Sequence, residues 1–192
     1  VIAPKRVCEL VWRQEALKWS HLSHLSFSLV TGTADQRELA LRRHAQVYLI
    51  NYEGLPWLVS KIKQHWLGHG VHQPFDFLVL DEGTKVKNST AARSISLQKI
   101  LSCFPRRVAL TGEPAANGYK DLFGQYLCID DGKRLGTSLE AYRNAFLRPV
   151  GYMGRSWEAT KTGKKAVHTR ISDITLEMSQ EEMVDRLLVS QG

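Results

Sequence analysis

The stretch Phe75-Asp76-Phe77-Leu78-Val79-Leu80-Asp81-Glu82-Gly83-Thr84 decides the fold. Its centre, residues 77–80, is an unbroken apolar run, which is typical of a short strand buried on both faces of a parallel sheet. Two carboxylates, Asp81 and Glu82, follow this run at once. In open α/β sheets, ligands collect at the carboxyl ends of the strands. The pattern therefore predicts that both carboxylates lie at a ligand-binding edge.

Two adjacent carboxylates at a strand end can divide the work of phosphate chemistry. One can hold a hydrated Mg²⁺, which prefers hard oxygen ligands and keeps several of its waters. The other can orient or deprotonate a water molecule beside a terminal phosphate. The simpler interpretation is a strand that ends in an acidic turn or a helix cap. The dipeptide alone favours that simpler interpretation, so the choice depends on the other strands.

Composition narrows the class of protein. With 192 residues, 43% of them hydrophobic and 23% charged, the chain can bury the core of one domain. Its formal net charge of +7 weakly favours a polyanionic partner. The three cysteines include no C-x-x-C pair, which argues against a disulfide framework and favours a reducing compartment. No signal-peptide pattern and no run of 18 apolar residues is present, so we expect a cytoplasmic protein without a membrane partner.

Apolar strands alternate with helical patterns along most of the chain. The predicted strands are residues 1–3, 27–31, 47–50, 77–80 and 107–110. The predicted helices are residues 6–19, 34–44, 55–66, 91–104, 122–127 and 139–146. This alternation predicts βαβ units and a three-layer α/β/α fold around a parallel sheet.

The composition changes after Pro149, which suggests a boundary between a domain of residues 1–150 and an appendage of residues 151–192. Residues 151–165 are rich in glycine and basic side chains, so we expect an exposed connection. Residues 180–188 are a further candidate helix.

Four of the predicted strands end in polar residues. One such end would be unremarkable, but the ends of parallel strands meet at one edge of the sheet and together form a site. The four ends are Pro4-Lys5-Arg6, Asn51-Tyr52-Glu53, Asp81-Glu82-Gly83-Thr84 and residues 111–117.

The order and spacing of these ends resemble the first RecA-like lobe, a P-loop NTPase fold, of a superfamily-two helicase-type ATPase of the Swi/Snf-like branch. Residues 1–5, with Trp12 and Trp19, resemble motif Ia, and residues 49–53 resemble motif Ib. Residues 81–88 resemble the D-E-x-H box with the Lys-Asn that follows it, and residues 107–117 resemble motif III. The stretches 121–126 and 135–138 are similar to phage and bacterial members of this branch, so the resemblance covers nearly the whole chain.

The resemblance implies ATP and Mg²⁺ as cofactors and double-stranded DNA as partner. Asp81 would hold Mg²⁺ through water, Glu82 would activate the attacking water, and Thr111, Gly112 and Pro114 would couple nucleotide state to movement on DNA. A second RecA-like lobe would complete the cleft. The residues implied in contact with nucleic acid, mostly through its phosphate backbone, are Pro4, Lys5, Arg6, Asn51, Tyr52, Lys87 and Asn117.

The sequence departs from the family pattern in several places. It contains no G-x-x-x-x-G-K-[ST] loop, which in this family precedes motif Ia, and it begins without Met, so we expect an N-terminally truncated fragment. Loss of the strand before that loop predicts an exposed apolar edge at Val79 or its neighbours. Thr84 stands where the family often has His, and Glu113 stands where motif III usually has a second Thr.

Several alternatives stay open. The chain could be a degenerate, non-catalytic lobe that binds nucleic acid or a protein partner, or part of an RNA-directed or nuclease-linked helicase of the same superfamily. His65, His69 and His72 are closely spaced, although the glycines between them favour a solvated loop over a zinc site. Residues 161–170 are basic, and a solvated face competes there with a contact to nucleic acid.

Overall fold

The computed structural model describes residues 1–64, 75–152 and 156–177, and its centre is a five-stranded sheet whose paired strands all run parallel. The strands are β1 (Ile2–Ala3), β2 (Phe27–Leu29), β3 (Val47–Asn51), β4 (Phe77–Asp81) and β5 (Arg106–Leu110). Their order across the sheet is β2-β3-β1-β4-β5. The predicted parallel α/β architecture is confirmed, and the two-residue strand β1 lies at its centre.

Eight α-helices connect and extend the sheet within the described residues. They are α1 (Lys5–Leu10), α2 (Trp12–Lys18), α3 (Ala34–Arg42), α4 (Leu55–Ile62), α5 (Ala92–Gln98), α6 (Lys120–Asp130), α7 (Leu139–Phe146) and α8 (Lys161–Ile171). Three short 3₁₀ turns matter for the site or the core. They follow β3, β4 and α5, at Tyr52–Gly54, Gly83–Val86 and Leu101–Cys103.

Two predicted helices are interrupted. The helix predicted over 6–19 is broken at Val11, whose backbone (φ −102°, ψ −60°) separates α1 from α2 and turns Trp12 toward the sheet. The helix predicted over 91–104 ends at Gln98 and continues as a 3₁₀ turn. The tighter turn lets Leu101 and Phe104 both reach the core, which the apolar pattern alone does not reveal.

The two faces of the sheet are covered unequally. On one face, Leu78 and Leu80 of β4 are buried in the main core, together with side chains of α4 and α5. On the other face, Val79 is buried, but Phe77 and Leu110 are 49% and 43% exposed. Val79 is not at an edge, contrary to the prediction, because β4 pairs with β1 on one side and with β5 on the other.

A second core lies beside β5 and is formed by α6, α7, α8 and a hairpin of β6 (Leu147–Val150) and β7 (Ser156–Ala159). The described residues of the predicted connection at 151–165 include β7 and the first turn of α8, so they form regular structure, although most of their side chains are exposed. Val167 and Ile171 of α8 are buried in this core, and their burial holds α8 against it. The candidate helix at 180–188 lies outside the described residues.

The strand register brings the polar strand ends together. Ala3 pairs with Asn51, Ile2 with Leu80, and Asp81 with Leu110. The ends of β3, β1, β4 and β5 consequently lie side by side at the carboxyl edge of the sheet, as predicted. In the part of the chain that the structure describes, no helix is long and apolar enough to cross a bilayer.

Candidate active site at the carboxyl edge of the sheet

Asp81, the last residue of β4, is held by groups from three directions. Its Oδ1 accepts the backbone N–H of Glu82 at 3.0 Å, and its Oδ2 accepts the indole N–H of Trp12 at 2.8 Å. Its backbone carbonyl accepts the hydroxyl of Tyr52 at 2.7 Å. The half-buried carboxylate is thereby fixed in orientation, and a carboxylate with two donors keeps lone pairs for further ligands.

Glu82 follows in a left-handed backbone conformation, with φ at +55°. This conformation costs a non-glycine residue free energy, and such residues concentrate at functional sites. The next residue, Gly83, starts the 3₁₀ turn, and a Cβ there would lie 2.9 Å from the Cβ of Ala109 on β5. The tight turn against β5 therefore requires glycine, and it leaves the side chain of Glu82 exposed at the sheet edge.

Glu82 borders a cleft of about 470 Å³ between two loops. The first loop, residues 82–87, continues from β4, and the second loop, residues 111–117, continues from β5. The cleft combines carboxylates, lysines and hydroxyl groups, contributed by Glu82, Thr84, Lys85, Lys87, Thr111, Gly112, Glu113 and Ala116. The predicted catalytic carboxylate and the predicted coupling loop thus face one another.

Within the second loop, Thr111 shapes the turn that the sequence predicts. Its hydroxyl oxygen accepts the backbone N–H of Glu113 at 3.2 Å. Gly112 is exposed, and a Cβ at that position would meet no atom within 4 Å. Pro114 is exposed as well, but its carbonyl accepts the side-chain amide of Gln125 at 2.6 Å. The loop is therefore open toward the cleft and fixed from behind by α6.

Helix α6 also holds the first loop, and sequence reasoning missed this role. At Gly124 of α6, a Cβ would lie only 2.2 Å from the carbonyl oxygen of Lys87. The ammonium group of Lys87 and the amide of Asn117 both bond to Asp121, at 2.9 Å and 3.2 Å. Both residues were predicted to contact nucleic acid, and that role stays a prediction; within the lobe their polar groups bond to Asp121.

Asn51 and Tyr52, at the end of β3, are also turned inward. They are 7% and 3% exposed, which differs from the surface position that a contact to nucleic acid requires. The amide of Asn51 donates to Glu53 at 2.7 Å, and the hydroxyl of Tyr52 donates to the carbonyl of Asp81. The pKa of Glu53 is lowered, first by its own backbone N–H and then by the bond from Asn51. These residues link the end of β3 to the end of β4.

Buried acids beneath the edge stay protonated. Burial, reinforced by the charge of Asp81, raises the pKa of Tyr52 far above its usual range, so its hydroxyl remains a hydrogen-bond donor. Burial raises the pKa of Cys8, whose thiol lies 3.6 Å from the carbonyl of Ala3, to about 11. A thiol with so high a pKa is a poor nucleophile at neutral pH.

Lys5 and Arg6 are exposed at the start of α1, directly after β1. Pro4 precedes the helix, and its carbonyl accepts the N–H groups of Val7 and Cys8. The nearest acid to Lys5 is Glu9, with 3.9 Å between charged atoms. A contact of that length on an exposed helix leaves the ammonium group available to another anion.

The donor set fits a magnesium ion held mainly by water and phosphate. Among the described residues, no group of three or more His, Cys, Asp or Glu side chains converges on a point. Mg²⁺ in nucleotide sites is usually bound by one or two carboxylates, several waters and the phosphates of the substrate. Asp81 and Glu82 meet that requirement. His65, His69 and His72 lie outside the described residues.

Comparison with known proteins identifies the family and the fold. The family model of the SNF2-related domain matches residues 1–189. The chain belongs to the SNF2-related domain family. Among solved structures, it superposes on the Sulfolobus solfataricus SWI2/SNF2 ATPase core in complex with dsDNA with a TM-score of 0.66, 20% identity and 92% of this chain covered. The fold is that of a SNF2-type RecA-like first lobe, as the sequence predicts.

Two further similarities show how much of each SNF2-family relative the chain matches. It is 34% identical over 96% of its length to protein p41 of Acyrthosiphon pisum secondary endosymbiont phage 1, and it covers 41% of that protein. It is 28% identical over 85% of its length to the DNA repair and recombination protein RAD54B of Homo sapiens, and it covers 17% of that protein. The chain therefore spans less than half the length of these relatives.

Proposed function

We propose that this SNF2-related lobe is the first half of an ATP hydrolase that moves on or remodels duplex DNA. The observation that supports this proposal best is the position of Glu82 in a cleft opposite the Thr111–Asn117 loop, at the same sheet edge as the exposed Lys5 and Arg6. One edge thus offers a phosphate-sized cleft and a cationic surface.

In the proposed mechanism, Asp81 would hold Mg²⁺ through water and Glu82 would accept a proton from the attacking water. When bound, Mg²⁺ would neutralise part of the negative charge of the phosphates. Trp12 and Tyr52 keep Asp81 in place, since they bond to its carboxylate and its carbonyl. The left-handed backbone of Glu82 directs its side chain into the cleft, where the exposed Lys85 would add positive charge near the phosphates.

Duplex DNA is the proposed partner, and Lys5 and Arg6, with Pro4 setting the start of α1, are its proposed phosphate contacts. Contacts of this kind are independent of base sequence and sensitive to salt. Two similar proteins support the substrate, because one is a SWI2/SNF2 ATPase core in complex with dsDNA and the other is a DNA repair and recombination protein. Asn51, Tyr52, Lys87 and Asn117 serve the same face indirectly, by holding the loops beside it.

The test is a steady-state ATPase assay on a two-lobed protein that contains this chain as its first lobe. We expect hydrolysis that requires Mg²⁺ and is stimulated by duplex DNA of unrelated sequences. Stimulation by duplex RNA and not by DNA would favour an RNA-directed helicase. Retained DNA binding without any ATP hydrolysis would favour the non-catalytic lobe and would contradict the proposal.

A further inference from the structure

Asp121, at the start of α6, is a buried carboxylate on which two loops converge. The residue is 6% exposed. Its Oδ2 accepts the ammonium group of Lys87 at 2.9 Å, the backbone N–H of Asn117 at 3.1 Å and the side-chain amide of Asn117 at 3.2 Å. Burying a carboxylate is unfavourable unless such donors compensate its charge, so all three donors matter to this position.

The donors come from opposite sides of the cleft. Lys87 ends the loop that begins with Glu82, whereas Asn117 ends the loop that begins with Thr111. If the two loops separate, Asp121 loses the donors of one loop and stays buried with its charge only partly compensated. The free energy of that state is high, so the two loops are expected to shift together.

The rest of α6 is shaped to the same two loops. The lack of a side chain at Gly124 allows the helix to touch the carbonyl of Lys87, and Gln125 donates to the carbonyl of Pro114. Gln125 is itself 2% exposed and donates also to the carbonyl of Asp121 at 3.0 Å. The first half of α6 is thus a platform for both walls of the cleft.

We propose that Asp121 is a positioning residue that ties the Glu82 loop to the Thr111 loop and so transmits the state of the nucleotide site to the second loop. The inference rests on the proposed function, because the transmitted state is that of a bound nucleotide. Asp121 touches no reacting atom in this role. It acts through Lys87 and Asn117.

Asp130 provides a matched control on the same helix. It is a buried carboxylate, 7% exposed, that accepts the guanidinium of Arg134 at 3.2 Å and the backbone N–H groups of Gly132 and Arg134. It lies at the other end of α6 and does not border the cleft. Asp130→Asn therefore removes a buried carboxylate from the same helix without changing a contact to either loop.

The first experiment compares Asp121→Asn and Asp130→Asn in the two-lobed protein, well below the unfolding temperature of each variant. The readout is the ratio of kcat with duplex DNA to kcat without it, together with KM for ATP. We expect Asp121→Asn to lower the ratio by about 5- to 150-fold, the usual range of coupling between sites. Asp130→Asn should leave the ratio unchanged. An unchanged ratio in Asp121→Asn, or equal losses in both variants, would overturn the proposal.

The second experiment tests the link between the loops without catalysis, by nuclear magnetic resonance of the chain itself. When Lys87→Met is introduced into the parent, the amide resonances of Asn117 and Gly112 should shift. When it is introduced into the Asp121→Asn variant, these resonances should not shift further. If Asp121→Asn does not fold, Asp121→Glu replaces it, and a longer carboxylate should shift the same amides. Shifts that do not depend on residue 121 would overturn the link. If the parent showed no DNA-stimulated ATP hydrolysis, the proposed function would be wrong. The amide shifts would then test only whether Asp121 links the two loops.

Discussion

At the β4–β5 end of the sheet edge, polar side chains surround an open cleft, whereas at the β3–β1 end Asn51 and Tyr52 are turned inward. Glu82, Lys85 and Glu113 are exposed around the cleft. At the other end, Lys5 and Arg6 after β1 and Glu53 after β3 are exposed. The two halves of one edge thus differ: one is a mixed-charge cleft, and the other places a short cationic surface, Lys5 and Arg6, beside buried polar side chains.

The adjacent carboxylates Asp81 and Glu82 border different spaces. Asp81 bonds to Trp12 of α2 and borders an apolar cavity of about 330 Å³ beneath that helix, whereas Glu82 borders the cleft. The pair therefore lies where the two halves of the edge meet. Helix α2 contacts Asp81 through Trp12, whereas α6 holds the loops around Glu82.

The largest expected effect is the absence of ATP hydrolysis when the chain is used alone. The 192 residues include no G-x-x-x-x-G-K-[ST] loop, and phosphoryl transfer depends almost wholly on positioning and charge stabilisation. We expect the purified chain to hydrolyse Mg-ATP no faster than buffer, with or without duplex DNA. Its fold should be verified by circular dichroism, and its monodispersity by size-exclusion chromatography.

The opposite outcome would be equally informative. Hydrolysis by the chain alone, stimulated by DNA and abolished by Glu82→Gln, would show that the described cleft is sufficient. The phosphate site would then be built from residues of this chain in place of a G-x-x-x-x-G-K-[ST] loop.

A smaller effect is expected where the two halves meet. Trp12→Phe keeps an aromatic ring in place and removes the N–H that donates to Asp81. A hydrogen bond to a charged acceptor stabilises the fold by about 1.5 to 3 kcal/mol. Urea unfolding should show a loss of that size. Trp19→Phe, in the same apolar cavity but away from Asp81, is the control, and an equal loss in both variants would assign the effect to packing.

The smallest effect on the domain itself is expected at the cationic surface. Replacing Lys5 and Arg6 by Ala should weaken binding to unrelated DNA sequences alike, and should reduce the salt slope of binding by about 1 to 2. The control replaces Arg13 and Lys18, which are exposed on α2, and changes net charge equally. The same change of slope in both double variants would mean that the net charge of the protein, and not the surface of Lys5 and Arg6, governs DNA binding.

Much of the fold could be predicted because its signals are local. The apolar run before Asp81 and the alternation of strands and helices are sufficient for the parallel sheet, and Thr33 and Ser138 cap helices where the pattern begins. The break at Val11 and the hairpin around residues 147–159 could not be predicted in this way. Both depend on distant contacts, of Trp12 with Asp81 and of α8 with the second core.

The site could be predicted in part for the same reason. Asp81, Glu82 and Thr111 stand directly after apolar strands, so sequence places them at the edge. The inward orientation of Asn51 and Tyr52, and the convergence of Lys87 and Asn117 on Asp121, depend on side-chain packing that spacing does not encode. One local signal was present, the Asp121-x-x-Gly124-Gln125 pattern, whose three positions all face the cleft loops.

The most direct measurement is a comparison of Glu82→Gln with Asp76→Asn in the two-lobed protein. Asp76 precedes β4 at the far end of the strand and pairs with Arg106, so its replacement removes a carboxylate away from the edge. We expect Glu82→Gln to lower the DNA-stimulated kcat by roughly 10²- to 10⁴-fold, as for loss of a general base, with DNA affinity unchanged. Asp76→Asn should keep the parent rate. A parent rate of ATP hydrolysis in Glu82→Gln would contradict the assignment of the cleft as the catalytic half of the edge.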